Sequence, residues 1–296
     1  MNFDAFINTV IGELSKKLGD SYTVRRHTIK RNNGITRQTI MILDGMRQTV
    51  PCYFMENYYE LYQKPEDIKI IAEDIIKTYQ KETVPEFLFD QLQSTEQILD
   101  QVLFRVFSMD MNTELLKNVP HHDIPELGLS MLFYLIVNTD DGASITMLLW
   151  NSHLKIWRIP KAKLLEYAWK NTPLAMEYNI TDINDLLAGH IEKIANSLVP
   201  PMYVISSRQK NYGAGCILYP GVLEDAAKKF NSDFYILPSS VHETIAVLAD
   251  RFDKCQAEAY KKVVIEVNRT VLSYEDILTD SVYYYSRKEH KLFLAI

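Results

Sequence analysis

The sequence predicts an α+β fold, built mainly from antiparallel β-hairpins that alternate with covering helices. Three observations carry this reading. Turn residues punctuate β-rich runs: Asn33-Gly34 lies between residues 21–31 and 35–43, and Asp140-Asp141-Gly142 follows the apolar run 129–137. Stretches with apolar residues every three to four positions separate these hairpins, as amphipathic helices require. The composition, 47% hydrophobic and 24% charged, is that of a packed globular chain and excludes disorder over most of its length.

The elements follow in order. Residues 2–18 form a helix with Phe3, Phe6, Val10, Leu14 and Leu18 on one stripe, stopped by Gly19. The hairpin 21–31/35–43 comes next. The aromatic segment 53–62 reads as a short helix, and 67–80 as an amphipathic one with Ile68, Ile71, Ile75 and Tyr79 aligned. A strand over 101–108 precedes the hairpin 129–137/143–150. Helices are expected at 161–171 and 181–197, the second ended by Pro200-Pro201. Beyond it the chain repeats the same grammar: strands 202–206 and 213–219, a helix at 221–230, a hairpin 233–237/243–249, and a helix at 255–268. A short helix at 274–279 leads to a closing hairpin, 282–286/291–295.

Strand 129–137 should be central, because its apolar residues fall on both faces. Leu132, Phe133, Leu135, Val137, Met147, Leu149, Phe234, Ile236 and Val247 are the expected core. At roughly 150 residues per domain, 296 residues suggest one large domain or two to three small ones; the expected regions are 1–95, 96–199 and 200–296, closely packed as separate domains or as one continuous one.

Charge and cysteine usage narrow the setting. The net charge is −6, which argues against a wholly nucleic-acid-binding or anionic-membrane-binding surface. Residues 1–50 run the other way, with eight basic and four acidic side chains. Three scattered cysteines, Cys52, Cys216 and Cys255, without a Cys-x-x-Cys pair, predict no disulfide and no cysteine zinc site, and fit a reducing, cytoplasmic compartment. Residues 1–17 lack the pattern of a secretory signal, and no apolar run is long enough to span a bilayer.

The run LYPGVLEDAAKKFNSDFYILPSSVHETIAV (218–247), with NSHLKIWRIPKAKLLEYAWKNTP (151–173) and SVYYY (281–285), resembles the signature of a bacterial family defined only as a domain of unknown function. The resemblance covers nearly the whole chain. It implies an intracellular protein and brings no activity, cofactor or catalytic residue with it.

The sharpest polar constellation is Ser239, Ser240, His242 and Glu243, at the turn between two strands, where side chains are often presented. Hydroxyl, imidazole and carboxylate can supply nucleophile, base and orienter. Against a triad, an extended chain points Ser240 and His242 to one side and Glu243 to the other. Neighbouring hydroxyls also satisfy turn amides, which is the structural reading and the one adopted for this motif. His121-His122-Asp123 alternates in direction along a strand and lacks the further ligands of a metal site. Gly213-Ala214-Gly215 lacks the third glycine and acidic partner of a dinucleotide fingerprint. No catalytic residue, metal or cofactor is assigned.

Arg25, Arg26, Lys30, Arg31 and Arg37 on the first hairpin are candidate phosphate contacts, or charges that deter pairing at a sheet edge. Tyrosines cluster at 53, 58, 59 and 62 and at 283–285, and suit either a core or a protein interface. The sequence therefore favours a cytoplasmic, non-catalytic binding or interaction protein. Its rivals are a hydrolase using His242 with Ser239 or Ser240, and a nucleic-acid binder using residues 23–37.

Overall fold

A computed structural model describes residues 1–45, 51–81, 94–138, 144–187 and 201–296. The fold is α+β, and every strand pairing among the described residues is antiparallel. The chain divides into two compact units, Met1–Arg31 with Ile35–Gln93, and Asn32–Gly34 with Ser94–Ile296.

In the first unit, helix α1 (Phe3–Leu18) starts where the Asn2 side chain accepts the Ala5 amide, and it stops at Gly19, whose φ of 76° suits a residue without Cβ. Strands β1 (Thr23–Lys30) and β2 (Thr36–Leu43) pair over their full length, and β3 (Cys52–Phe54) adds to β2. The expected helix over 53–62 thus begins as a strand and becomes helix α2 only at Met55–Leu61. Its first aromatics pair with β2, so tertiary context overrides helix periodicity there. Helix α3 (Asp67–Lys81) closes the unit. Phe6, Ile7, Val10 and Leu14 pack against Ile40, Ile42, Met55, Ile71 and Ile75 to form its core.

The second unit opens with helix α4 (Thr95–Asp100), started by a reciprocal Ser94/Gln97 capping box. Strand β4 (Val102–Ser108), helix α5 (Thr113–Leu116), and strands β5 (His121–Ile124), β6 (Leu129–Asn138) and β7 (Ser144–Leu148) follow. As expected, β6 is central: it pairs with β4 on one side and with β5 and β7 on the other. Helix α6 (Asn151–Trp157), absent from the sequence reading, begins right after β7. Helix α7 (Lys161–Ala175) is longer than expected and carries Pro173 in its last turn, where fewer intrahelical bonds remain to be lost.

Residues 181–182, expected to be helical, end strand β8 (Tyr178–Asp182); helix α8 is only Ile183–Leu187, and 188–197 lie outside the described residues. The 140–142 turn also lies outside them. Strand β9 (Met202–Ser207) is followed not by a second strand over 213–219 but by 3-10 turns over Gly213–Leu218. Helix α9 (Val222–Phe230), strands β10 (Asp233–Pro238) and β11 (Glu243–Ala249), helix α10 (Lys254–Thr270), and strands β12 (Tyr283–Ser286) and β13 (Lys291–Leu294) complete the chain. The expected 274–279 helix shortens to a 3-10 turn over Tyr274–Asp276.

Six strands form one sheet in the order β13-β12-β10-β11-β9-β8. Alternation sends Tyr235, Leu237 and Tyr284 to one face, where they pack with Ala257 and Val264 of α10. Phe234 and Tyr285 point to the other face, where Phe230 of α9 meets Phe234 edge-on. Of the expected core, Leu132, Phe133, Leu135, Leu149, Phe234, Ile236 and Val247 are buried. Met147 is only half-buried, because β7 is a short edge strand, and the side chain of Val137 lies outside the described residues.

None of the three cysteines is in a disulfide. Cys216 is fully buried and its thiol is pushed up to about 12 by desolvation, Cys52 is half-buried and also pushed up by burial, and Cys255 is exposed. Only the thiolate reacts with disulfide reagents. Native protein should therefore show one fast-reacting thiol, Cys255, with Cys216 reacting only on unfolding; a second fast thiol mapped to Cys216 would contradict the packing around it.

Candidate functional site

The turn between β10 and β11 is tied to its own backbone. The amides of Ser239 and Ser240 both donate to the Glu243 carbonyl at 3.2 Å, and the Val241 amide donates to the Asp276 carbonyl at 2.8 Å. The His242 amide donates to Ser240 Oγ at 3.0 Å, which makes that hydroxyl a turn acceptor, as short polar side chains commonly are. Ser239 Oγ faces the Glu243 carboxylate at 3.4 Å.

His242 is engaged at both ring nitrogens. Nδ1 accepts the Tyr212 amide at 3.1 Å, and Nε2 stands 3.4 Å from Asp276 Oδ1. Neither ring nitrogen bonds to a serine hydroxyl. The four candidate residues are thus gathered in one turn, but as a folded knot rather than a nucleophile–base pair, for which that bond is the first geometric requirement.

Gly213 sits beneath the turn. A Cβ there would lie 2.2 Å from the Ser207 amide nitrogen, 2.4 Å from Ser206 Oγ and 2.7 Å from the His242 carbonyl oxygen. Ser206 Oγ also donates to that carbonyl at 2.8 Å. The contact sets Tyr212, at φ 49°, with its ring 5.2 Å from the His242 ring. The Arg105 guanidinium lies between the rings of Tyr212 (3.7 Å) and Tyr134 (3.9 Å), and its Nε has no hydrogen-bond partner. Two ring faces offset part of the cost of half-burying that charge.

The other sequence candidates separate. Arg25 and Arg37 lie on one face of the β1–β2 pair and Arg26 and Lys30 on the other, by their register. Arg26 is held by Asp4 at 2.8 Å and Gln38 at 2.7 Å, and Arg31 stacks over Phe54 at 5.0 Å. The hairpin is part of a three-stranded sheet rather than a two-stranded ribbon. His121 and Asp123 share a face of β5, with Nε2 to Oδ2 at 3.7 Å, while His122 points away. Among the described residues no group of three or more such side chains is arranged to hold a metal ion. Tyr53 and Tyr283–Tyr285 are buried, and Tyr58, Tyr59 and Tyr62 pack against the first core.

Clefts open on the second unit, and two of them are lined by described residues that carry charge. One, of about 470 Å³, is lined by Glu177, Tyr178, Arg208, Asp225 and Lys229, and these pair among themselves or with backbone: Arg208 with Glu177 (3.0 Å), Tyr178 with Asp225 (3.0 Å), Lys229 with the Ile180 carbonyl (2.9 Å). The other, of about 550 Å³, lies between α9 and the β12–β13 turn and is lined by Glu224, Ala227, Lys228, Asn231, Tyr285, Arg287 and His290. Tyr285 is 3% exposed, and its hydroxyl has no hydrogen-bond partner. Burial, and then the nearby carboxylates of Glu224 and Asp233, push that hydroxyl up, so it keeps its proton. Glu224 likewise makes no hydrogen bond or ion pair among the described residues. Sequence reasoning noticed the tyrosine row but not this cleft. The available signal was Glu224 and Lys228 one turn apart on a strongly amphipathic helix, next to Arg287 after the last tyrosine.

The fold and its clefts define an antiparallel α+β protein without a metal cluster or an assembled nucleophile–base pair among the described residues. Over residues 3–287 the chain matches the model described as "Family of unknown function (DUF5688)", and it belongs to that family. No curated protein and no solved structure matches it. Among the described residues no helix is long and apolar enough to cross a membrane.

Two substitutions check the knot. Gly213→Ala forces backbone apart, and should cost about 3 kcal/mol, or roughly 6–12 °C in unfolding midpoint. His242→Ala removes the acceptor of the Tyr212 amide, and should lower the midpoint by roughly 2–8 °C, about 1–2 kcal/mol, while leaving ligand binding unchanged. Thermal unfolding followed by circular dichroism reads both; a His242→Ala protein of wild-type stability would defeat the structural reading of this turn.

Proposed function

We propose that this protein is a non-catalytic, cytoplasmic binding protein, and that its ligand is a small polar molecule held in the cleft between α9 and the β12–β13 turn. The observation that carries the reading is the Tyr285 hydroxyl, buried at the cleft wall without a partner. A buried polar group left unpaired costs roughly 1–3 kcal/mol. Such a group calls for an explanation, and at a cleft wall a bound ligand supplies one.

Four further features support the reading. The volume, about 550 Å³, is of the size that small-molecule sites occupy. The polar groups of the neighbouring cleft, by contrast, are already satisfied by one another or by backbone. The hydrolase alternative lacks a serine hydroxyl on His242, whose ring nitrogens face Tyr212 and Asp276. Three cysteines outside any disulfide are in keeping with a cytoplasmic setting.

Tyr285→Phe tests the proposal with two signs. It removes an unsatisfied hydroxyl and keeps the ring, so the free protein should gain about 1 kcal/mol, seen as a midpoint raised by roughly 2–4 °C. A library of small polar fragments, screened by protein-observed NMR, should shift the Ala227, Tyr285 and Arg287 signals of the wild type and shift them less in the variant. A lowered midpoint means that the hydroxyl is paired in the free protein, and the proposal fails.

A further inference from the structure

The charges around this cleft are of both signs, and their partners are unequal. On the helix side, Glu224 and Lys228 stand at i and i+4, an order that normally favours an ion pair. They do not form one. Lys228 instead makes a loose contact with Asp225 at 3.5 Å, at an exposed position, and Glu224 has no partner among the described residues. On the strand side, Arg287 is fixed: its amide and Nε approach Asp233 Oδ1 at 3.2 and 3.4 Å, and Nη1 donates to Asn231 Oδ1 at 2.8 Å. Asp233 thus neutralises much of its charge, while Nη2 makes no hydrogen bond among the described residues.

The groups left with bonding capacity are a carboxylate and a phenol, Glu224 and Tyr285, close enough for the one to raise the other, and a loosely paired ammonium and a guanidinium edge, Lys228 and Arg287, toward Asn231 at the helix end. A purely anionic ligand meets the uncompensated carboxylate of Glu224. A purely cationic one meets Lys228 and Arg287. A molecule with an ammonium and a carboxylate meets both pairs in register.

Positions i and i+4 lie on one side of the helix, about 6 Å apart along its axis, so Glu224 and Lys228 border the same cleft and their side chains can turn toward the two ends of one small ligand. Ala227, on the same helix turn, and the Tyr285 ring leave an apolar wall for a side chain.

We infer that the cleft between α9 and the β12–β13 turn binds a free α-amino acid, its ammonium received by Glu224 and Tyr285 and its carboxylate by Lys228 and Arg287. This rests on the proposal that the cleft is the ligand site, and it adds the chemical class of the ligand.

The test uses the full chain and three sets of probes: the twenty L-amino acids, their carboxamides, which keep only the ammonium, and their N-acetyl derivatives, which keep only the carboxylate. Binding is read from NMR shifts of Ala227, Tyr285 and Arg287 and by titration calorimetry. At least one amino acid should bind, with its carboxamide and N-acetyl derivative each at least tenfold weaker. Glu224→Gln should weaken the amino acid and the carboxamide and spare the N-acetyl derivative. Lys228→Ala should do the reverse. Both side chains reach solvent, so neither change threatens the fold. If a single-ended derivative binds as tightly as its parent, the inference is overturned and the cleft stands as a site for a ligand of one sign. If no amino acid shifts those signals, the inference is again overturned, and the Tyr285→Phe stability and fragment measurements decide separately whether the cleft is a site at all.

Discussion

No side chain fits at Gly213, and much of the second unit is arranged around that fact. Three pieces of chain meet there: the end of β9 at Ser206 and Ser207, the β10–β11 turn at His242, and the 3-10 turns that start at Gly213 itself. Backbone from two strand ends comes within a distance that any Cβ would violate, and the hydrogen bonds that close the junction, Ser206 Oγ to the His242 carbonyl and the Ala214 amide to the Val241 carbonyl, depend on that approach. Tyr212, the residue before, is turned into the left-handed region, from which its amide reaches His242 and its ring covers Arg105. One missing methyl group thus links a loop, an imidazole and a half-buried cation. The histidine belongs to this junction, which accounts for its occupied ring nitrogens.

The same sheet carries a contrast that sets the cleft apart. Three consecutive tyrosines occupy β12, and each is buried. Tyr283 donates its hydroxyl to the Leu127 carbonyl at 3.0 Å, and Tyr284 to Asp233 at 2.9 Å. Tyr285 donates to no group among the described residues. Chain geometry does not force this difference, since Tyr283 and Tyr285 share a face and a common strand neighbour in β10. What differs is the cover: Tyr285 lies beside α9, where Glu224 in the first turn is close enough to raise its hydroxyl electrostatically but makes no hydrogen bond with it.

How much of this could be read from sequence depended on whether neighbours in the chain or neighbours in space decide the outcome. The first helix, the β1–β2 and β10–β11 hairpins, the central β6 and helix α10 all follow from local period and turn chemistry, and they appear as expected. Residues 213–219 did not. Gly-Ala-Gly-Cys-Ile-Leu-Tyr reads as an apolar strand, but its amides are used in 3-10 turns because the close seat of Gly213 on β9 leaves no edge to pair with. Residues 53–54 joined β2 instead of a helix for the same reason in reverse, a free strand edge being present. The Ser239-Ser240-Val241-His242 cluster was visible as a polar constellation. Its hydrogen bonds were not, because the partners, Tyr212 and Asp276, lie some thirty residues away on either side. The cleft was the least legible part. Glu224, Tyr285 and Arg287 come together only once β12 pairs with β10 beneath α9.

A binding site is useful in proportion to how little it must be ordered when the ligand arrives, and here the strand-side wall is ordered in advance. Asp233 opens β10 and accepts from the Tyr284 hydroxyl, the Arg287 amide and Arg287 Nε. Asn231 ends α9 in the left-handed conformation, at φ 50°, and its side chain accepts from Arg287 Nη1. The residues that stop the helix and start the next strand are therefore the ones that aim the arginine. The helix-side groups are less constrained: Lys228 is exposed and loosely paired, and Glu224 is unpaired among the described residues. One fixed wall and one adjustable wall give a site that holds the charge pattern of its ligand without demanding a single side-chain shape. A cleft of this kind selects for a head group and tolerates variation in what the head group carries.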